Sequence, residues 1–327
     1  MYKYLALLLG LLAGTLTAHE PAKPAVEAEK PAAEAASADA KPTYVNSETC
    51  QACHEDIFQA FVKNPHYRLE TDKKRKWEQK ACESCHGPGS KHAESMTAAD
   101  IRQPAKLTPS QADQTCLSCH RNQPTHAGRI DSGHARSAIA CTSCHSVHKP
   151  AEVSRNGRHA AVNQQCAGCH MNTLASFQKP HAHPLSTMPS AGNSGMSCLD
   201  CHNPHGTAAR ANLRFASANE PGCLKCHADK RGPFAFEHAP LRTEGCGACH
   251  EPHGSTNPRM LNRPQVRLLC LECHSNIASQ PGTGASAGGT VGGIPPAFHD
   301  VRSPRYANCT GCHMKIHGSH VNRSFLR

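Results

Sequence analysis

All twenty cysteines of this chain stand in pairs separated by two residues, and a histidine follows each pair directly. Two thiols at this spacing can bond covalently to a porphyrin, and the imidazole that follows can bind its iron from one face, as in c-type haem attachment. Because the ten motifs leave no cysteine over, the pattern predicts ten covalently attached haem c groups. The cysteines are Cys50, Cys53, Cys82, Cys85, Cys116, Cys119, Cys141, Cys144, Cys166, Cys169, Cys198, Cys201, Cys223, Cys226, Cys246, Cys249, Cys270, Cys273, Cys309 and Cys312. The motif histidines, which would bind iron, are His54, His86, His120, His145, His170, His202, His227, His250, His274 and His313.

A second set of histidines follows the same repeat. Each unit reads upstream histidine, motif, downstream histidine, motif, and the frame is clearest in residues 141–170, 198–227 and 246–274. Two extra histidines from each of five units provide one second ligand for each haem, and the first motif stands alone as a half-unit. The predicted distal ligands are His66, His92, His134, His148, His183, His205, His238, His253, His299 and His317.

The sequence leaves the pairing of these ligands open. A histidine three residues after a motif histidine, such as His148 after His145, is too closely tethered to reach around the same porphyrin, so we expect it to serve a neighbouring haem. His320 could replace His299 as the tenth distal ligand. The remaining histidines are predicted to be non-ligands: His19, His126, His159 and His181.

Two imidazoles on every iron make each haem six-coordinate, with no open position for substrate. We therefore expect an electron-transfer protein and not an enzyme. The alternative is a multihaem reductase with one open haem site, which a high-spin ferric signal together with turnover would reveal. Zinc knuckles or disulfides could also use paired cysteines, but they give no reason for a histidine after every pair.

Large apolar side chains are scarce, with eight Phe, five Tyr and one Trp against 24 Gly and 24 Pro. Such a chain buries too little surface of its own to offset the loss of chain entropy on folding. The haems must therefore supply the core. We expect a multihaem cytochrome c fold that is mostly irregular, with short α-helices and negligible β-structure, and an extended haem wire built on the repeated two-haem unit.

The formal net charge is +10, which alone would suggest nucleic acid or an anionic membrane as a partner. Ten haems bring about twenty propionates, which are ionised near neutral pH like other carboxylates. The basic excess is best explained as internal counter-charge, and no nucleic-acid partner is expected.

Residues 1–18 have the features of a secretory signal peptide, with Lys3 before an apolar run and small residues at Thr17 and Ala18. Residues 19–43 are an Ala, Pro, Glu and Lys segment without apolar periodicity, predicted to be a disordered tether. Residues 44–327 form the predicted decahaem domain. The apolar run is too short to span a membrane, and no later segment is expected to span lipid.

Three segments between these features carry local predictions. Residues Glu55–Lys63 are predicted to form an amphipathic helix with Ile57, Phe58, Phe61 and Val62 on one side. The basic run Thr71–Lys80 is compatible with a helix, and its lysines form either a docking patch or, as we favour, a solvated face. Gln280–Pro296 is predicted to be a flexible loop.

Residues 50–327 resemble the periplasmic decahaem cytochromes of the MtrA/DmsE/PioA type. The resemblance rests on CHNPHG at 201–206, CHADKRGPFAFEHAP at 226–240, CHEPHG at 249–254 and CHMKIHGSH at 312–320. It implies a bis-histidine wire held inside an outer-membrane β-barrel porin, which links periplasmic redox proteins to extracellular ones. We therefore expect a periplasmic protein associated with the outer membrane through a barrel partner. A free periplasmic electron carrier is the alternative.

Overall fold

The computed structural model describes residues 41–126, 132–148, 157–187, 195–217, 220–275, 294 and 296–326. The chain divides into two compact units, residues 1–41 and 42–327, and the second holds all ten motifs. The predicted signal peptide, most of the tether and most of the Gln280–Pro296 loop lie outside the described residues.

Short helices separated by turns make up the haem-bearing unit, which confirms the predicted fold class. Gly87 and Gly168 each follow directly after the last residue of an α-helix, and glycine weakens a helical pattern. The α-helices are α1 Ser47–Gln51, α2 Glu55–Val62, α3 Glu83–His86, α4 Ser90–Ser95, α5 Pro109–His120, α6 Gly133–Arg136, α7 Arg158–Ala167, α8 Met171–Ser176, α9 Cys198–Cys201, α10 Pro240–Thr243, α11 Val266–Leu271 and α12 Cys309–Cys312. Short 3₁₀ helices span Pro65–Thr71, Ala98–Asp100, Pro104–Lys106, Pro124–His126, Cys141–Ser143, Arg210–Asn212, Gly222–Lys225, Ala228–Lys230, Cys246–Ala248, Pro258–Met260 and Pro304–Tyr306.

Extended structure within the described residues is confined to a small hairpin and isolated bridges. Strands β1 Phe215–Ser217 and β2 Glu220–Pro221 pair antiparallel. Two of the isolated bridges join segments far apart in sequence, His181 with Ser255 and Phe236 with Ser319. No helix among the described residues is long and apolar enough to span a bilayer.

The helix predicted over Glu55–Lys63 is present as α2. Its apolar side is only partly covered by protein, because Phe61 is buried while Ile57 and Val62 are exposed. Tyr67 packs edge-on against both Phe58 and Phe61, with ring centroids 6.1 and 6.0 Å apart.

The helical interpretation of Thr71–Lys80 is wrong. A 3₁₀ helix ends at Thr71, and the Asp72 carboxylate then accepts hydrogen bonds from the backbone and side chain of Arg75. This local bonding competes with helix formation, and the chain turns through positive φ at Lys76 and Gln79.

Small and polar residues form the buried set. Phe61 is the one large apolar side chain that is buried among the described residues, and the other buried apolar positions are alanines. Glu83, with 1% of its surface exposed, is the largest side chain that is fully buried. Within the described residues, protein side chains alone therefore do not build an apolar core of ordinary size.

Candidate haem centres

Ten pairs of histidine rings are the main feature of the described structure. Each pair combines one motif histidine with one of the predicted distal histidines, and the ring centroids lie 5.8–6.4 Å apart. No histidine of either set occurs in two of these pairs. The pairs, motif histidine first, are His54–His92, His86–His148, His120–His66, His145–His205, His170–His134, His202–His253, His227–His183, His250–His317, His274–His238 and His313–His299.

This spacing fits an iron between the two rings. With about 2.0 Å from metal to imidazole nitrogen on each side, and about 1.1 Å from nitrogen to ring centre, a bis-imidazole iron sets the centroids about 6.2 Å apart. Direct stacking of two rings would bring them closer than most of these pairs. Covalent attachment at the adjacent cysteine pair would place a porphyrin in each gap. The residues present therefore fit ten haem c groups.

Hydrogen bonds at Nδ1 orient many of these rings. The Nδ1 atoms of His86, His202, His250 and His313 lie 2.8, 2.9, 2.8 and 2.6 Å from the carbonyl oxygens of later residues in their own loops. Nδ1–H donation to a carbonyl fixes the tautomer and leaves Nε2 free to bind metal. Four distal rings have the same kind of Nδ1 contact to an oxygen: His66, His92, His134 and His183.

Burial favours the neutral form of several of these imidazoles. Removal from water lowers the pKa, because it penalises the charged imidazolium. A neutral ring is also the form that binds metal. The histidines whose pKa is lowered chiefly by burial are His66, His148, His238, His253, His274 and His317.

Two loops with related sequences adopt the same local structure. At 198–214, the backbone N–H of Arg214 donates to Cys201 O and the Thr207 hydroxyl donates to Leu213 O. At 246–262, Asn262 N–H donates to Cys249 O and the Ser255 hydroxyl to Leu261 O. Each loop bridges its motif histidine to a leucine, His202 to Leu213 and His250 to Leu261. The sequence repeat is therefore also a structural repeat.

A glycine after the distal histidine lets segments approach closely. Gly254 and Gly318, which follow His253 and His317, have φ of 135° and 147°. A Cβ at Gly254 would lie 2.2 Å from Ser176 O, and one at Gly318 would lie 2.2 Å from the Phe234 ring. Only glycine allows both this backbone conformation and this contact.

The ring pairs follow a crosswise rule that the sequence left open. In four units, the upstream histidine faces the second motif of its own unit, as His183 faces His227. The downstream histidine faces a motif of the preceding unit, as His253 faces His202. Each downstream histidine thus connects one unit to the unit before it.

The unit that begins at His299 departs from this rule. It carries one motif instead of two in this sequence, and its upstream histidine faces that motif, with the His299 and His313 centroids 6.4 Å apart. His320 instead packs on Phe234 at 5.3 Å. The geometry therefore brings His299, and not His320, to the tenth motif.

Consecutive motifs are neighbours in space. The first thiols of motifs one and two, Cys50 and Cys82, share a hydrogen bond, which raises the pKa of Cys50 and lowers that of Cys82. Once both sulfurs carry thioether bonds, neither titrates, but the proximity remains. The same first-thiol contact recurs in the pairs Cys116–Cys141, Cys166–Cys198, Cys223–Cys246 and Cys270–Cys309.

The second cysteines connect these pairs of motifs to one another. Cys85 and Cys119, of motifs two and three, are close enough for their charges to interact. Motifs six and seven, and eight and nine, are related in the same way through Cys201 with Cys226 and Cys249 with Cys273. Motifs four and five meet through the Gln165 side chain, which donates to Cys144 O.

Sequence reasoning missed the polar residues that hold the motifs in place. The buried Asn163 amide donates to Ser186 O and Met196 O, and its oxygen accepts from Cys198 N–H. A single asparagine inside a helix gives no sequence signal of this role.

Three of the histidines predicted as non-ligands, His126, His159 and His181, are not members of the ten pairs, and the fourth, His19, lies outside the described residues. His126 lies 6.4 Å from His120, but its ring packs edge-on against His205 at 4.2 Å. The Nδ1 atom of His159 contacts Gly195 O, and the backbone of His181 pairs with Ser255.

Two family models match the chain. Residues 190–232 and 238–279 match a model described as a doubled CXXCH motif, and residues 15–87 match the model for cytochrome c554 and c-prime. Together with the paired rings, these matches define the class of protein. The chain is a multihaem c-type cytochrome that binds haem c at its CXXCH motifs.

Individual relatives show to which family of multihaem cytochromes the chain belongs. The multihaem cytochrome MtrA of Shewanella baltica is 32% identical over 287 residues, which cover 84% of this chain and 78% of that protein. The high-molecular-weight cytochrome c of Nitratidesulfovibrio vulgaris is 22% identical and covers 82% of this chain, which spans 50% of that protein. A solved undecahaem cytochrome from the S-layer of Carboxydothermus ferrireducens is 20% identical, with a TM-score of 0.15, over 75% of this chain and 32% of that one. The chain belongs to the MtrA family of multihaem cytochromes and functions in electron transfer.

Proposed function

We propose that the ten ring pairs are the axial ligands of ten haem c groups and that the protein conducts electrons along them. The observation that carries this proposal is the one-to-one pairing of ten motif histidines with ten distal histidines at 5.8–6.4 Å. Haem supplies reversible one-electron chemistry at each site. The protein's own residues fix the tautomers of many of these imidazoles and hold consecutive sites together.

The order of the haems follows the order of the motifs in the chain. The first-thiol contacts, such as Cys50 with Cys82, join motifs one and two, three and four, and so on. The second-thiol contacts, such as Cys85 with Cys119, support the connections between these pairs. An electron would then move through neighbouring sites in sequence order, from the Cys50 motif towards the Cys309 motif or in reverse.

Bis-histidine ligation at every motif supports a carrier without bond chemistry of its own. Each iron would have both axial positions filled, so no substrate could bind directly. A multihaem reductase would instead need one iron without a protein ligand on its distal side. All ten motif histidines have a facing partner, which favours the carrier.

The site of action that we propose is the outer membrane, with the protein held from the periplasm inside a β-barrel porin. The family relationship to a protein named MtrA supports this proposal. The irregular backbone of the haem-bearing unit also favours a protein partner, because hydrocarbon cannot satisfy the polar groups of irregular backbone. In this position the wire would pass electrons between periplasmic and extracellular redox proteins.

The test is purification from native membranes in mild detergent, followed by size-exclusion chromatography with detection of haem absorbance. We expect the protein to elute in a complex with a barrel protein, with pyridine haemochrome analysis giving ten haems per chain. Recovery of this chain only as a free periplasmic protein would refute the conduit and leave a free electron carrier. A haem content well below ten would refute the wire itself.

A further inference from the structure

We propose that His299 is a displaceable ligand, so that the tenth haem can bind a small neutral π-acceptor such as carbon monoxide while the other nine stay closed. This inference rests on the proposed bis-histidine ligation. It adds one ligand-binding site, at the Cys309–His313 motif, to a chain of otherwise closed sites.

The first observation is the hydrogen bonding of His299. Its Nδ1 atom is buried and has no hydrogen-bond partner within the described part of the chain. The opposite ring, His313, has its Nδ1 only 2.6 Å from Ser324 O. Loss of such an outer partner typically weakens a metal-bound histidine about 10–100-fold. His299 therefore lacks the anchor that holds His313.

The second observation is the spacing and packing of the pair. The His299–His313 separation of 6.4 Å is the longest of the ten facing pairs, and the rings are tilted by 37°. His299 also stacks on Tyr306, with centroids 4.2 Å apart and planes 23° from parallel. After leaving the iron, the His299 ring could remain stacked on Tyr306 and so would not be fully exposed to water.

The third observation is the short connection between the two ligands. His299 and His313 are fourteen positions apart (299 to 313), whereas the other pairs are separated by at least 36 (134 to 170). Release of His299 would not disconnect one repeat unit from another. At the other nine haems the distal ligand joins segments at least 36 positions apart, so its loss would also open a contact between those segments.

The chemical step is a ligand exchange. His313 would keep its bond to the ferrous iron, while His299 would release its own and carbon monoxide would take the vacated position through its carbon atom. No electron or proton is transferred in this step, and dithionite added beforehand supplies the ferrous state.

The test measures carbon monoxide bound by the full-length, dithionite-reduced holoprotein, from Soret difference spectra calibrated against total haem. We expect one molecule per chain, bound slowly because His299 must first leave. In His299→Ala we expect one molecule per chain still, bound at least ten-fold faster. A matched control is His238→Ala, which opens a different haem and should raise the stoichiometry to two.

Three outcomes would overturn the proposal. One is no binding in the unaltered protein under conditions in which His299→Ala binds one molecule. Another is two molecules per chain in His299→Ala, which would place the natural site elsewhere. The third, independent of removing a ligand, is an unchanged binding rate in Tyr306→Leu, in which the stacking surface is lost. Failure of the wire proposal would appear separately, as high-spin haem in the oxidised, unaltered protein.

Discussion

Gly318 offers a direct test of how the fold positions a distal ligand. It follows His317, whose ring faces His250 at 6.2 Å, and it is buried with φ of 147°. The substitution Gly318→Ala adds a single methyl group at this point. We expect it to displace His317 and to open the haem of the Cys246–His250 motif.

Two costs of this substitution can be estimated from the structure. The added Cβ would lie 2.2 and 2.4 Å from two carbons of the Phe234 ring, and overpacking of this kind costs about 1–3 kcal/mol. The backbone conformation is one that L-residues avoid, with a strain of about 1–3 kcal/mol. Phe234 cannot move away freely, because the nearby Phe236 backbone pairs with Ser319.

The assay combines thermal unfolding of the holoprotein with optical and EPR spectra of the oxidised form. Gly247→Ala is the matched control, because Gly247 lies within the Cys246 motif and a Cβ there would meet nothing within 4 Å. We expect Gly318→Ala to have a lower midpoint temperature of unfolding than the unaltered protein and to contain one high-spin haem. We expect neither change in Gly247→Ala. If the two variants unfold alike and both remain fully low-spin, the close contact at Phe234 does not position His317.

Three further predictions test other parts of the structure. In His148→Ala, the haem of the second motif should become high-spin while the other nine remain low-spin, as measured by integrated ferric EPR. A change at the haem of the fourth motif instead would contradict the crosswise pairing. The ring planes of His66 and His120 lie 77° apart, so the haem between them should give the most anisotropic low-spin EPR signal of the ten. This signal should disappear in His66→Ala, and its persistence would mean that it arises from another haem. Asn163→Ala deletes the three hydrogen bonds of the buried amide to the backbone, so it should lower the unfolding free energy by about 2–5 kcal/mol in chemical denaturation. The exposed Asn172→Ala should change it by less than about 0.5 kcal/mol.

The cofactor and the fold class could be predicted from sequence because their signals are local. Haem attachment needs two thiols and an imidazole within five residues, so the motif at Cys50–His54 identifies itself without any tertiary information. The short segments between motifs, punctuated by Pro and Gly and without alternating apolar runs, likewise predicted short helices and little β-structure. The Thr71–Lys80 prediction failed because helix-forming composition was weighed without the competing hydrogen bonds of the Asp72 side chain to Arg75.

The pairing of rings could not be predicted, because it depends on which segments meet. His148 follows His145 too closely to reach around the haem of that motif. Nothing in the sequence, however, indicated that it would face His86, 62 positions earlier (86 to 148). Which segments come into contact depends on close approaches such as that of Gly254 to Ser176 O. A glycine after a histidine gives no sign of which segment it will contact.

His299 is the upstream histidine that departs from the crosswise rule. Under that rule an upstream histidine serves the second motif of its unit, and a first motif takes its distal ligand from the unit that follows. The unit beginning at His299 shows one motif in this sequence, and its upstream histidine faces the histidine of that motif, His313, at 6.4 Å. The ligand so recruited comes from a short local loop and has no Nδ1 partner among the described residues. A haem ligated in this way should be the one of the ten that exchanges its ligand most readily.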